Sequence, residues 1–152
     1  MRLEDLYSRA IGRYVAPSPY VQAELLRLGI PKNKVFHILN PVFWFNPNTT
    51  SHFSQKYDVL YAGRLSHEKG IHELMAAIKL LPNINFVIAG DGPERSSVAK
   101  QTHELKNLTF VGHVSHDAVL DLIHQSRIAV LPSICNEILS IFVLEVFYLG
   151  KR

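Results

Sequence analysis

The chain has 152 residues, enough to bury a hydrophobic core, and its 47% apolar content excludes a disordered or collagen-like polymer. Its net charge of +3 comes from lysines and arginines scattered along the sequence, so nucleic acid is not an expected partner, whereas an anionic small molecule or peripheral contact with an anionic membrane face suits the balance. A single cysteine, Cys135, rules out an internal disulfide framework and makes a reducing cytoplasm the expected compartment.

Met1 to Gly12 carries charges throughout and lacks the continuous apolar core of a signal peptide, so export is not expected. Leu3, Leu6, Tyr7, Ala10 and Ile11 recur at helical spacing and predict a short amphipathic opening helix. Tyr14 to Ala16 reads as a strand. Ser18 then makes an N-cap with Pro19 at the first helical position; Val21, Leu25 and Leu28 form the apolar stripe, and Gly29 supplies the stop. Val35 to Leu39 reads as a second strand, and Asn46 to Gln55, rich in Asn, Thr and Ser, suits a linker. The expected division is a first piece over 1–45, a linker over 46–57 and a domain over 58–152.

Beyond the linker, strand and helix alternate. Strands are predicted over Val59 to Ala62, Asn85 to Ala89, Thr109 to Val111 and Ile128 to Leu131. Helices are predicted over Glu68 to Leu81, with the stripe Ile71, Leu74, Met75 and Ile78, over about Glu94 to Leu105, over Ser115 to Gln125, and from about Ser140 onward. This alternation predicts an α/β fold built on a doubly wound parallel sheet. Ligands of such sheets bind beyond the carboxyl ends of the strands, and Gly63, Gly90, Gly112 and Pro132 each follow one. The apolar run Ile138 to Gly150 is too short to span a bilayer and holds Glu145 in its middle, so it reads as a buried helix.

The stretch Tyr61 to Gly70 carries the clearest chemistry. An apolar strand runs into the Gly63 turn, then Arg64 and Lys69, then an amphipathic helix, which together describe an anion site fit for a diphosphate; the plain reading is two solvated charges. Glu137 and Glu145 flank the helix start at Ser140, and carboxylates so placed can accept hydrogen bonds from sugar hydroxyls. Glu145 lies between Leu144 and Val146 and needs a partner if buried, whereas Glu137 reads equally as a solvated loop residue. Gly90-Asp91-Gly92 invites a dinucleotide reading, but Arg95 stands where the third glycine of that fingerprint belongs, so a nicotinamide cofactor is not expected. Those glycines either let the loop pass close to a ligand or simply turn the chain. His113 and His116 straddle a loop and a helix start without forming a recognisable ligand pattern, so no metal site is expected. His67 reads as a solvated loop residue.

Four blocks in series carry a family resemblance: Gly63-Arg64-Leu65 with Glu68-Lys69-Gly70, Ile88 to Glu94, Phe110-Val111-Gly112, and Leu131-Pro132-Ser133 with Glu137 and Glu145. From about Ala16 to its end the chain resembles glycosyltransferase family 4. The resemblance implies a Rossmann-like GT-B fold, mainly its donor-binding C-terminal domain. It also implies a retaining enzyme, active in polysaccharide biosynthesis, that moves a sugar from a nucleoside diphosphate to a glycan or lipid-linked acceptor, with no cofactor and no metal. By the same resemblance Arg64 and Lys69, after Gly63, bind the diphosphate and stabilise the charge that grows on it. Glu137 lies near the transferred sugar, and Glu145 receives the ribose hydroxyls. Backbone N–H groups at Ser140 and Ile141 cradle phosphate, Gly90 lets its loop pass close to the donor, and the backbone at Val114 meets the nucleobase.

The departures from that pattern set further expectations. Met1 to about Leu39 resembles only the closing strands and helix of the family's acceptor domain, Asn40-Pro41-Val42 replaces Asn-Gly-Val, and Gly150-Lys151-Arg152 stands where the family continues. Leu139-Ser140 replaces Phe-Gly. Val146-Phe147-Tyr148-Leu149 replaces a run of small residues, so altered helix packing is expected. A domain incomplete at both ends is expected to leave apolar surface uncovered and to invite self-association. The alternative to a transferase fragment is a non-catalytic or degenerate nucleotide-binding remnant.

Overall fold

A computed structural model describes residues 10–41 and 54–151. The expected opening helix lies outside the described residues except for its last positions, as do Val42 and most of the expected linker. The chain divides into two compact units, one of residues up to Phe43 with the segment Glu137–Ile141, the other of Trp44–Asn136 and Phe142–Arg152.

In the first unit the N-cap chemistry read from the sequence is present. The Ser18 hydroxyl accepts the Val21 N–H at 3.3 Å, and α1 (Pro19–Arg27) follows, with Gly29 at φ 81° closing it. Strands β1 (Tyr14–Ala16) and β2 (Val35–His37) pair in parallel, Tyr14 opposite Val35, over a small core of Ala16, Ile30 and Val35. β2 is shorter than predicted because its partner strand gives way at Ser18 to the N-cap of α1; the Ile38 N–H makes the last bond, to the Ala16 carbonyl.

The second unit is a four-stranded parallel sheet in the order β5-β4-β3-β6: β3 (Tyr57–Ala62), β4 (Phe86–Ala89), β5 (Leu108–Gly112) and β6 (Ser126–Ala129). Because both faces are covered, the central strands are apolar at nearly every position and their alternate side chains feed two cores. Val59, Tyr61, Phe86 and Ile88 pack with the stripe of α2 (Ile71–Leu80) and with Val98 of α3 (Arg95–Thr102). Leu60, Ala62, Val87 and Ala89 pack with Leu122 and Ile123 of α4 (His116–Gln125) and Val146 of α5 (Ile141–Tyr148). This is the doubly wound α/β arrangement. Among the described residues no helix is long and apolar enough to cross a membrane.

Two sequence expectations need correcting. The helix predicted over Glu68 to Leu81 begins only at Ile71: Gly70 takes a left-handed conformation (φ 71°, ψ 28°), and His67–Lys69 form a single 3-10 turn ahead of it. β6 begins at Ser126, two residues earlier than predicted, because α4 runs into it without a loop and Ser126 already pairs with Tyr57. On α5, Phe147 and Tyr148 are 67% and 51% exposed, Val146 is buried in the second core and Leu149 packs against it. Beside β6, Val59, Leu81, Ile84 and Ile128 line a groove of about 730 Å³ together with the charged residues Asp58, Arg127 and Lys151.

Candidate functional site

The loops that leave β3, β4 and β5 are tied together at the carboxyl edge of the sheet. Gly63 N–H donates to the Ala89 carbonyl (3.0 Å), Leu65 N–H to that of Asp91 (2.8 Å), and Gly90 N–H to that of Gly112 (2.7 Å), while Glu94 N–H returns to Leu65 (2.9 Å). The fit is close enough that a Cβ on Gly90, at φ 145°, would run into the Gly63 carbonyl, so glycine is what lets the two loops meet. Tyr61, buried in the core, reaches up with its hydroxyl to the Arg64 carbonyl at 2.7 Å and fixes the loop that carries the arginine. Pre-positioned loops of this kind lose little further freedom when a ligand arrives.

Arg64 is exposed and Lys69 half-buried, on either side of a turn that is itself anchored. The Glu68 carbonyl accepts the N–H groups of Ile134 (3.1 Å) and Cys135 (3.3 Å), so the loop after β6 is docked on the turn. The nearby Ser66 hydroxyl and the Glu68 backbone N–H hold the Glu68 carboxyl below the usual carboxylate range, and the charges of Arg64 and Lys69 add to it. The Glu68 carboxylate therefore feels both cations. At the neighbouring loop the Asp91 carboxyl is also held low, first by the Gly92 N–H (2.7 Å) and then by Arg95 (2.8 Å). With its folded pKa depressed, that contact steadies the loop above the ordinary carboxyl pKa and fades as pH falls through the lowered value.

Glu145 is the buried carboxylate of the site. It is 4% exposed on α5, and its Oε1 lies 2.8 Å from Nε2 of His116, the first residue of α4. The Ser115 hydroxyl caps that helix by accepting the Ala118 N–H at 3.3 Å. α4 starts just past the end of β5, so the pair stands at the same carboxyl edge as the loops above. Val114, half-buried in between, packs against the second core.

The structure thus brings Gly63, Arg64, Lys69, Gly90, Val114 and Glu145 to the carboxyl edge of one unit. Glu137, Ser140 and Ile141 belong to the segment that clusters with the N-terminal unit, and the helix that follows begins at Ile141. Sequence reasoning weighed His116 only as a metal ligand and missed its pairing with Glu145. The one available signal was its place beside Ser115 at a helix start. Among the described residues no group of three or more His, Cys, Asp or Glu is arranged to hold a metal ion.

Comparison with known proteins points to one family. The model of the family described as glycosyl transferases group 1 matches residues 42–152. A glycogen synthase of Mycobacterium tuberculosis is 39% identical over 83 residues, covering 50% of this chain and 20% of that protein. An alpha-D-kanosaminyltransferase of Streptomyces kanamyceticus is 37% identical over 94 residues, 57% of this chain and 24% of that protein. Among solved structures, Anabaena HepE in complex with UDP and glucose superposes with a TM-score of 0.79 at 21% identity, over 97% of this chain and 45% of HepE. The chain spans only about a fifth to a quarter of the length of those two curated relatives.

Proposed function

The chain belongs to the group 1 glycosyl transferases, and from that premise we propose that it forms the donor-binding part of a retaining, family 4 glycosyltransferase. It takes a sugar from a nucleoside diphosphate and passes it to a glycan or lipid-linked acceptor, without cofactor or metal. The observation that carries the reading is the place of Arg64 and Lys69 on an anchored turn at the carboxyl edge where the buried Glu145 meets His116. Cations there stabilise a diphosphate most when its charge grows as the sugar leaves, which is where stabilisation accelerates the reaction. Gly63 and Gly90 shape the loops, Val114 offers its backbone to the base, Ser140 and Ile141 offer N–H groups to phosphate, and Glu137 attends the transferred sugar. HepE was solved with UDP and glucose, and TarM of S. aureus with UDP and α-GlcNAc-glycerol, which supports a UDP-sugar as the first donor to try. The cytoplasm, at the inner membrane face, is the proposed place of action.

The test is incubation of the chain with radiolabelled UDP- and GDP-sugars, with a membrane extract as acceptor. Slow release of label without transfer, disappearing in Arg64→Ala and in Glu137→Ala, is the expected result, and an anomeric configuration unchanged between donor and released sugar, read early by proton NMR, checks retention. Nucleotide binding without any preference for the sugar-bearing form, and no release, would instead identify a non-catalytic remnant. Self-association belongs to the same proposal, because Leu80, Leu81, Ile128 and Phe147 are exposed near β6, whose only strand partner among the described residues is β3. Sedimentation velocity is expected to show concentration-dependent oligomers; a monomer at every concentration removes that claim.

A further inference from the structure

Two groups 29 residues apart in sequence meet at the carboxyl edge of the sheet in a way that the family pattern does not call for. A carboxylate as buried as Glu145 must be hydrogen-bonded, and an ionised carboxylate can only accept. Against an ionised Glu145 the Nε2–H of His116 is the donor, to Oε1 over 2.8 Å. The two residues differ sharply in exposure, side chains 5% for Glu145 and 47% for His116, so the imidazole bridges the buried acid and the open edge. His116 is held in turn by its place as first residue of a capped helix.

We infer that His116 is a positioning residue for sugar-nucleotide recognition: it holds the Glu145 carboxylate in one orientation and leaves the remaining lone pairs of that group to the ribose hydroxyls of the donor. This rests on the reading of Glu145 as the ribose acceptor. An ionised carboxylate has about four lone-pair positions, and the imidazole occupies one, so a pair of vicinal hydroxyls can still be accepted. Without His116 the carboxylate keeps its charge but loses the contact that selects its rotamer, and aligned acceptance from two hydroxyls becomes one arrangement among several.

The experiment is calorimetric titration of the full 152-residue chain with UDP, GDP and ADP, each beside its 2′-deoxy counterpart. The parent protein is expected to prefer the ribose form of whichever base it binds. Glu145→Gln weakens the ribonucleotide by roughly ten-fold or more, as for a lost hydrogen bond to a charged group, and the deoxy form less. His116→Ala is expected to weaken the ribonucleotide by a few-fold and to narrow the same ratio. In His116→Gln the amide nitrogen can stand where Nε2 stood and restores the ratio, whereas His116→Asn is too short and does not. Asn also serves as the test should the alanine variant melt below the working temperature. A role confined to stability would lower the melting temperature without moving the ratio. If Glu145→Gln narrows the ratio but His116→Ala and His116→Asn leave it intact, the positioning role is wrong and the ribose reading stands. If Glu145→Gln leaves the ratio unchanged, or the parent binds none of the three nucleotides, both readings fall.

Discussion

Alanine at both Arg64 and Lys69 is expected to weaken binding of a nucleoside diphosphate by about a hundred-fold or more, and each single change by roughly ten-fold. A hydrogen bond to a charged group contributes about 1.5–3 kcal/mol, and ten-fold in affinity is about 1.4 kcal/mol. The exposure of Arg64 places it toward the lower end of that range, because solvent screens its charge until a ligand covers it. The same screening sets a second signature: binding by the parent chain should weaken as salt rises, and the double variant should lose most of that dependence. Folding should be nearly unaffected, since neither side chain belongs to either core. Titration calorimetry with UDP and GDP at two ionic strengths, beside the unphosphorylated nucleosides as controls, provides the check. Affinity unchanged in the double variant would remove the diphosphate from this edge and with it the basis for the proposed chemistry.

What the sequence revealed, and what it hid, follows from the range over which each residue acts. Ser18-Pro19 and Ser115 announce helix starts because an N-cap binds a backbone N–H three residues on, and both caps are formed in the structure. The apolar runs at Val59 to Ala62 and Phe86 to Ala89 read as strands because a parallel sheet covered on both faces leaves no polar side to write. The gathering of Gly63, Arg64 and Gly90 at one edge was legible through strand order alone, since each follows a strand of the same parallel sheet. The boundary between α4 and β6 was not, because Ile123, Ser126 and Ile128 run on without a turn residue between them. Nor was the union of His116 and Glu145, which depends on how α4 and α5 pack over Leu122, Ile123 and Val146 and joins two residues 29 apart in sequence. The break at Gly70 was hidden for the same reason. The stripe from Ile71 to Ile78 fits a helix that could have started at Glu68, and what ends it lies elsewhere in the chain.

That break leads to the largest expected effect on stability, from Gly70→Ala. Gly70 sits at φ 71° between the 3-10 turn that carries Lys69 and the first residue of α2, and its N–H donates to the His67 carbonyl at 2.9 Å. Any Cβ there would run into the backbone carbonyl of Pro132, with the Pro132 side chain 3.2 Å away on the same side. The left-handed conformation alone costs an L-residue about 1–2 kcal/mol. Backbone cannot step aside as a flexible side chain would, so the Pro132 loop must move, and overpacking of this kind adds about 1–3 kcal/mol. A total of about 2–5 kcal/mol is a large share of the stability of a small domain. The displaced loop also carries the N–H groups of Ile134 and Cys135 that anchor the Glu68 carbonyl, so diphosphate affinity should fall together with stability. Gly112 supplies the comparison: it has nearly the same angle, φ 70°, but a Cβ there would meet only an Arg95 side-chain nitrogen at an ordinary 3.7 Å. Gly112→Ala should therefore cost only the conformational term, about 1–2 kcal/mol. Denaturant unfolding of the two variants beside the parent measures both, and equal losses would show that contact with Pro132 does not enforce the turn.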